Sequence, residues 1–565
     1  MSISASQREN IGSIFNGNLF VIPSYQRKYS WTNKERMELW NDIKEAKANS
    51  INHFFGTLIF KQTENENLDE VYEIIDGQQR TTTLFLLLNE LIERIEDSQK
   101  KTNYKSKFII DNNNNVKLSP LGADKEFLKN LILDSKCMIL DDLDKRSQKN
   151  LYYAKKQFKD LSSAFSEKEA LEIIDFIRKN VEVLVLVVEK QSEAIRMFEI
   201  INDRGLELNY LDKVKSIAML YSTMYLKENL NTIINESFEI IFDSNDNIIL
   251  KRDKLKILAR FDENETLFSH HYTKSMKFFP DTWNYRNGVK TIFESFKSRC
   301  EKLKNNSIEL EFFLKSYIED FSNFAKNYSN LINSIDKDEA KIEAFQFLDF
   351  SATLYPLIVI LYQQNKLEDL LETLVSVEVR VYKFKGTNPR ADIPTLCNYI
   401  SKNEWTIKEI NDWLIFFRDK FMNNGNFEYY LDDAIYGNNA IKYILLKYKK
   451  NKVTFDEYQN LQIEHIFPEG GENSVSFAVE EFGFENIDDY NYTKNTIGNL
   501  ILLEKKLNAS QEVSDLTPKE KVNGYLKSNI EETKHMAGII DKDGFEKKKI
   551  ESRTKDIIDF CLKQF

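Results

Sequence analysis

Ile463-Glu464-His465-Ile466-Phe467-Pro468 is answered downstream by Ile497-Gly498-Asn499-Leu500-Ile501-Leu502-Leu503, and then by Leu507-Asn508. Pro468 marks the end of a short strand. The run from Leu500 to Leu503 reads as a second, apolar strand, and the polar segment 505–511 opens a helix that carries Asn508. Strand, strand and helix make a ββα unit. Its residue types suit phosphodiester hydrolysis, which needs a base for water and a cation to offset the charge that develops on phosphate. An unperturbed histidine, with a pKa of roughly 6.5, is largely neutral near pH 7, so His465 can be the base. Glu464 and Asn508 offer the oxygen ligands that a hard cation such as Mg²⁺ or Mn²⁺ prefers. Adjacent residues on an ideal strand face opposite ways, so Glu464 and His465 share one site only if the strand loosens towards Pro468. Alone, the Glu-His pair fits a buried strand with a surface histidine better than a catalytic site; the ordered succession of elements with Asn508 turns the balance to the nuclease.

A chain of 565 residues is too long for one ordinary domain, and two or three are expected. With 42% hydrophobic and 30% charged residues it has ample core for a soluble globular protein. The longest apolar runs, such as 354–362, fall far short of the ~18 residues of a membrane span. The N-terminal residues carry no apolar signal core, and Cys137, Cys300, Cys397 and Cys561 form no CxxC pair, so a cytoplasmic location without disulfides or a zinc cluster is expected. A net charge of −11 argues against a protein that coats nucleic acid, although a local basic patch suffices for a specific one. Lys447, Lys449, Lys450 and Lys452 precede the ββα pattern, and Lys542, Lys547, Lys548, Lys549, Arg553 and Lys555 follow it. Either run could hold a DNA backbone, but such runs are more often solvated helix faces.

Nearer the start, Val21-Ile-Pro-Ser-Tyr-Gln-Arg-Lys-Tyr-Ser-Trp31 packs apolar, aromatic and cationic residues into one stretch that Pro23 biases to extended structure. A helix is predicted over 33–49, then strands over 54–60 and 71–75. The second strand runs into Asp76-Gly-Gln-Gln-Arg-Thr-Thr-Thr83, ahead of an apolar helix over 84–95. A tight turn that opens a helix gathers unpaired N–H groups and a positive dipole end, which suits an anion. There Arg80 can grip a phosphate, Thr82 or Thr83 can cap the helix or reach a metal-bound phosphate, and Gln78 and Gln79 can orient water or a base edge. Standing alone, Asp-Gly would be a plain turn with a threonine cap. Beyond a helix over 145–165, the strand 181–188 leads to a helix ending near Asn202, with Gly205 suited to a left-handed terminus. Asn209 then caps the next helix, with Asp212 three residues on. From 216 to 446 amphipathic helix dominates, and Pro356 is expected to kink or split the segment 340–362. The basic stretch 251–260 and the aromatic stretch 267–283, with His270 and His271, could touch DNA; core packing explains the aromatics equally well.

Three N-terminal segments together resemble the N-terminal domain of the GmrSD-type modification-dependent (type IV) restriction endonucleases, which is related to ParB and sulfiredoxin-like folds. They are Ile22-Pro23 with Tyr25-Gln26-Arg27 and Trp31; Asp76-Gly77-Gln78-Gln79-Arg80 with Thr82-Thr83-Leu84; and Phe198, Asn202, Arg204-Gly205, Leu208, Asp212 and Lys215. The 463–511 pattern resembles the HNH, or ββα-metal, endonucleases. Thr81 and Lys213 depart from the usual apolar residue and Leu of the first family, and Glu464 from the Asp or His of many HNH sites. The resemblance implies an α+β, mainly helical protein: a ParB/sulfiredoxin-like α/β sensor domain over 1–215, a helical linker and DNA-contact region over 216–446, and an HNH nuclease domain over 447–565. It implies His465 as general base, Glu464 and Asn508 as ligands of Mg²⁺ or Mn²⁺, and Asn499 as a catalytic-site residue that steadies the loop between the strands. For a nucleoside triphosphate (GTP, UTP or ATP) it implies Gln26, Arg27, Asp76, Gly77, Gln78, Gln79, Arg80, Thr82, Asn202, Arg204 and Asp212. The partner implied is modified double-stranded phage DNA, with no membrane and with a homo-oligomer left open. Two alternatives remain: an RNA-cutting toxin that uses the same HNH site, and a non-catalytic ParB-like DNA-binding adaptor in which Asp76 to Arg80 is only a turn.

Overall fold

The computed structural model describes residues 7–23, 26, 28–63, 71–111, 113–120, 124–133, 143, 145–188, 209–402, 405–449, 451–469, 479–510, 513 and 516–565. Arg27, Asn202, Arg204, Gly205, Lys450 and Cys137 lie outside them, as does the helix expected to end near Asn202. The chain divides into two compact units. One comprises Met1–Leu250, Asp262–Tyr272 and Lys277–Ser329; the other comprises Lys251–Phe261, Thr273–Met276 and Asn330–Phe565. Most of the described chain is helical, and among the described residues no helix is long and apolar enough to cross a membrane.

The first unit is built on a mixed six-stranded sheet: β1 (Gln7–Asn10), β2 (Leu19–Ile22), β3 (His53–Thr63), β4 (Val71–Asp76), β5 (Leu118–Pro120) and β6 (Val181–Val188), in the order β1-β6-β3-β4-β2-β5. The long β3 runs antiparallel to β4 and parallel to β6. Its register against β6 shifts between Phe54 and Thr57, where Gly56 holds φ at 102°. Alternating side chains of β3 and β4, among them Leu58, Phe60, Tyr72 and Ile74, enter one core with the helix α1 (Gln78–Glu93). Around them lie α2 (Asp124–Leu133), α3 (Arg146–Ser162) and α4 (Glu167–Asn180), and α5 (Tyr210–Tyr225) and α6 (Asn231–Leu255) follow in the chain. Asn209 caps α5 as its sequence predicts, its Oδ1 accepting from the backbone N of Asp212 at 2.7 Å.

The start of α1 differs from expectation. The helix begins at Gln78, not 84, and its N-cap is Gly77, which makes no side-chain capping bond. Thr81, Thr82 and Thr83 therefore sit inside the helix, buried, and none caps it. Thr83 Oγ1 instead donates to the Gln79 carbonyl at 2.8 Å and meets the Tyr29 hydroxyl at 2.7 Å. Tertiary burial outweighs the modest helix propensity of threonine.

In the second unit, the segment expected to break at Pro356 is split earlier, at 348–351, and Pro356 lies in the first turn of the helix Tyr355–Gln363, where proline is tolerated. Strands β7 (Leu461–His465) and β8 (Leu500–Glu504) pair antiparallel, with His465 opposite Leu500 and Glu464 opposite Ile501. Leu500, Ile501, Leu502 and Leu503 are all fully buried because each face of this ribbon meets its own core. Leu461, Leu500 and Leu502 join one cluster; Ile501 and Leu503 join another with Ile466 and Phe467. The short helix α7 (Lys505–Asn508) follows directly, completing the expected strand-strand-helix order.

Candidate functional sites

In the second unit His465 closes β7, 4% exposed, with the Tyr436 ring over it at a centroid distance of 4.2 Å. Its Nε2 lies 3.1 Å from Oδ1 of Asn495. The Asn495 amide is oriented by its own Nδ2, which donates to the Asn491 carbonyl at 3.1 Å. An amide oxygen only accepts, so Nε2 carries the proton and Nδ1 holds the lone pair. Burial pushes the imidazole below its usual pKa, and the bond to Asn495 opposes that shift only in part. His465 is therefore poised neutral, as a proton acceptor must be.

Glu464 points to the opposite face of the ribbon, as the pleat requires. There its Oε1 accepts from Lys521 Nζ at 2.7 Å and from the Tyr525 hydroxyl at 3.0 Å, while Lys521 also reaches the His465 carbonyl at 2.6 Å. Burial raises the carboxyl pKa, and Lys521 pulls the other way. Asn508, on α7, donates from Nδ2 to Gln462 Oε1 at 3.2 Å, and Gln462 shares the face of Glu464 two residues along β7. Oxygen donors of the right chemistry for a hard cation are thus present but not gathered around His465. Among the described residues no group of three or more His, Cys, Asp or Glu could hold a metal. Asn499 is fully buried: Oδ1 accepts from Phe467 N at 2.8 Å, and Nδ2 donates to the carbonyls of Phe467 and Lys494 at 3.0 and 2.8 Å. It ties the two strand ends together and touches backbone, not His465.

The basic run after this pattern is partly structural. Arg553 is buried and donates to the carbonyls of Ile497, Gly498 and Leu500, with Glu532 as its ion-pair partner. Lys547 is paired with Asp489.

In the first unit, β4 turns into α1 at Gly77, whose φ of 91° suits glycine; a Cβ there would meet Leu58 Cδ2 at 2.2 Å. Arg80 turns back over β3, with Nη1 donating to the Phe55 carbonyl at 2.9 Å and Nη2 to the Thr57 carbonyl at 2.8 Å and to Asp76 Oδ2 at 3.3 Å. Both terminal nitrogens are thus bound to the protein itself, not set for a bidentate hold on phosphate. Burial raises the Asp76 pKa, against the pull of Arg80. Gln79 clamps the preceding segment, accepting from Ser30 N at 2.9 Å and donating to the Lys28 carbonyl at 3.0 Å. Gln26 donates to the Ile75 carbonyl at 2.6 Å.

Gln26, Lys28, Gln78, Gln79 and Thr82 line one narrow recess, with Asp124 and Glu239. Asp76, Gly77 and Arg80 are not in its wall. Lys28 ion-pairs with Asp243 and lies 3.8 Å from Glu239. Lys215, one turn beyond Asp212, is almost fully buried, and burial pushes it down to about 7 against the pull of Asp212 and Glu239.

Residues 11–219 match the N-terminal domain of the GmrSD restriction endonucleases, and residues 418–560 match their C-terminal domain. The two matches together span more than half of the chain. The chain belongs to the GmrSD restriction endonuclease family. No curated protein matches it. The GmrSD N-terminal match contains the whole Asp76–Arg80 turn and all of the recess except Glu239 and Phe242, which come from α6 beyond residue 219. The GmrSD C-terminal match contains His465, Asn495 and Asn499 together with Lys521 and Tyr525.

Several of these contacts are not named by the sequence motifs. Asn495 and Tyr436 meet His465 from segments whose composition gives no sign of it, and Lys521 lies 57 residues from Glu464. Gly56 did carry a signal, since a glycine inside a strand run marks a bulge or a close approach. A Cβ there would fall 1.8 Å from Arg80 Nη1.

Proposed function

We propose that this GmrSD protein is a nucleotide-regulated endonuclease that cuts modified phage DNA, with His465 as the base that activates water. The observation that carries the reading is His465 itself: a buried imidazole at the end of a two-stranded ribbon, followed by a helix, its tautomer fixed by Asn495 so that Nδ1 can take a proton. Asn499 ties the backbone of Phe467 to that of Lys494, Arg553 braces the start of the paired strand, and Tyr436 packs on the imidazole. Mg²⁺ or Mn²⁺ dependence belongs to the proposal on the chemistry of phosphodiester cleavage. Glu464 is bound to Lys521, and chelation with EDTA tests the requirement for the ion directly.

For the first unit the proposal is that a nucleoside triphosphate binds at the Asp76–Arg80 turn and its neighbours Gln26 and Thr82. One observation favours a purely structural turn: Arg80 binds Asp76 and, through both terminal nitrogens, the β3 backbone. Hydrolysis decides between the two. The test is cleavage of glucosylated, phosphorothioated and unmodified DNA, and of total RNA, with Mg²⁺ and with or without each nucleoside triphosphate. His465→Ala is expected to abolish cutting and leave nucleotide hydrolysis intact, whereas Asp76→Ala removes hydrolysis. Wild-type cutting by His465→Ala would sink the nuclease assignment; cleavage of RNA alone would move the target from DNA to RNA.

A further inference from the structure

The two segments that hold His465 also carry exposed aromatic rings. Tyr429, Tyr430, Tyr436 and Tyr492 are 72%, 47%, 41% and 51% exposed. The other exposed tyrosines among the described residues, Tyr153, Tyr285 and Tyr399, lie far apart in the chain. Tyr429 and Tyr430 stand at the end of the helix Asn424–Leu431, their rings edge to face at 5.7 Å. The chain then returns to His465. The Asn495 carbonyl accepts from the backbone N of Ile435 at 2.9 Å and of Tyr436 at 3.1 Å, and Ala434 bridges to Thr496. Tyr492 belongs to the helix Ile487–Thr493, just ahead of the Asn495 that fixes the imidazole. Partial burial raises its phenol pKa, and Asp433, Asp432 and Tyr429 add to the rise, which places Tyr492 against the 429–433 segment.

The charge of this face narrows what can lie on it. From 421 to 441 the chain has no lysine or arginine, while Glu428, Asp432 and Asp433 are exposed. Phosphate contacts need cations, so the face is no track for a nucleic-acid backbone. It suits the uncharged part of a strand instead. Aromatic side chains stack on bases of any sequence, because every base has a π-face. A carboxylate repels phosphate but accepts from the amino groups of cytosine, adenine and guanine. In an intact duplex the base faces are stacked on one another and the pairing edges are taken, so neither is offered to rings and carboxylates. Unpaired bases offer both. Their position follows from continuity with the proposed nuclease site: the Tyr436 ring packs on His465 itself, at 4.2 Å.

We propose that Tyr429, Tyr430, Tyr436 and Tyr492 stack on unpaired bases beside the bond being cut, so that the substrate is DNA opened at the cut. This rests on His465 being the nuclease base. The test titrates full-length His465→Ala, which leaves DNA intact, with a DNA duplex and with the same duplex carrying a short mismatched bubble. The bubble is expected to bind roughly tenfold more tightly, within the range of one base stacked on one ring. Adding Tyr429→Leu and Tyr492→Leu should bring the ratio within about twofold, whereas Tyr429→Phe and Tyr492→Phe, which keep the rings, should preserve it. The ratio is measured within one protein, so a partly unfolded fraction does not alter it. Equal binding of bubble and duplex by the parent, a preference that survives the leucine pair, or one lost in the phenylalanine pair as well, would each overturn the stacking assignment. An unchanged ratio with an altered oligomeric state in the leucine pair would give the face to a second copy of this chain. Cutting separates this failure from that of the nuclease reading: His465-dependent cleavage without a bubble preference removes the tyrosine assignment alone, and wild-type cleavage by His465→Ala removes both.

Discussion

His465 shows what one residue's surroundings do to its chemistry. A solvent-exposed histidine titrates at roughly pH 6.5. Burial holds His465 below that value. The folded pKa is the depressed one, so the neutral form contributes stability that is fully present above the unfolded pKa and is lost as pH falls through the folded value. With His465 as the proposed base, catalysis follows the same sign, because a general base must be neutral. Cleavage should stay flat from about pH 8 down to roughly 6.5 and fall only below. Asn495→Ala, which removes the bond that opposes the shift, should move the acid limb lower still. Single-turnover rates between pH 5 and 8 check both, and an acid limb centred above pH 7 would contradict the buried geometry. The sequence makes His465 legible as a candidate base through its residue type and its place before Pro468. It cannot show that Glu464 turns away, since Lys521 and Tyr525 come from a segment about sixty residues further on and only the fold brings them there.

At the scale of elements, most strands and helices are legible because their periods are. β3, β4 and β6 alternate or run apolar where the sequence says, and α5 starts at its asparagine cap. The exceptions have local causes. The polar stretch from Gln78 to Thr83 reads as a turn, yet it is the buried first turns of α1, enclosed by β3 and by the segment around Tyr29. Its position depends on a latch between elements: Arg80 from α1 crosses to β3 at the bulge, where Gly56 leaves room for the guanidinium. Gly56→Ala would put a Cβ on Arg80 Nη1 and force φ of 102° on an alanine. Backbone strain of about 1–3 kcal/mol and the displaced arginine together should destabilise the first unit by about 2–4 kcal/mol. Thermal melting of wild type and variant measures the loss. Gly288→Ala, where φ is −71° and nothing lies near a new Cβ, is the control and should change stability by less than about 0.5 kcal/mol. Equal melting of all three proteins would mean that Arg80 is not latched at the bulge.

On the proposed reading the chain carries two sites of different chemistry, one in each unit, and a restriction endonuclease needs a reason to act on some DNA and not on the host's own. If the nucleotide supplies that reason, the two sites share a coupling free energy. Such a coupling is reciprocal at equilibrium: a nucleotide that tightens modified-DNA binding by some factor must itself be bound more tightly, by the same factor, when that DNA is present. Allosteric couplings usually fall between about 5- and 150-fold. The His465→Ala protein allows the measurement, because DNA stays intact and a non-hydrolysable triphosphate keeps the other site at equilibrium. Two titrations suffice, DNA affinity with and without nucleotide and nucleotide affinity with and without modified DNA. The expected outcome is one shared factor in both directions for modified DNA and a factor near one for unmodified DNA. If neither ligand alters the affinity of the other, nucleotide turnover and cutting are independent activities of one polypeptide, and the regulated reading fails although each site works. Unequal factors would instead show that the titrations were not at equilibrium, because linkage forbids them.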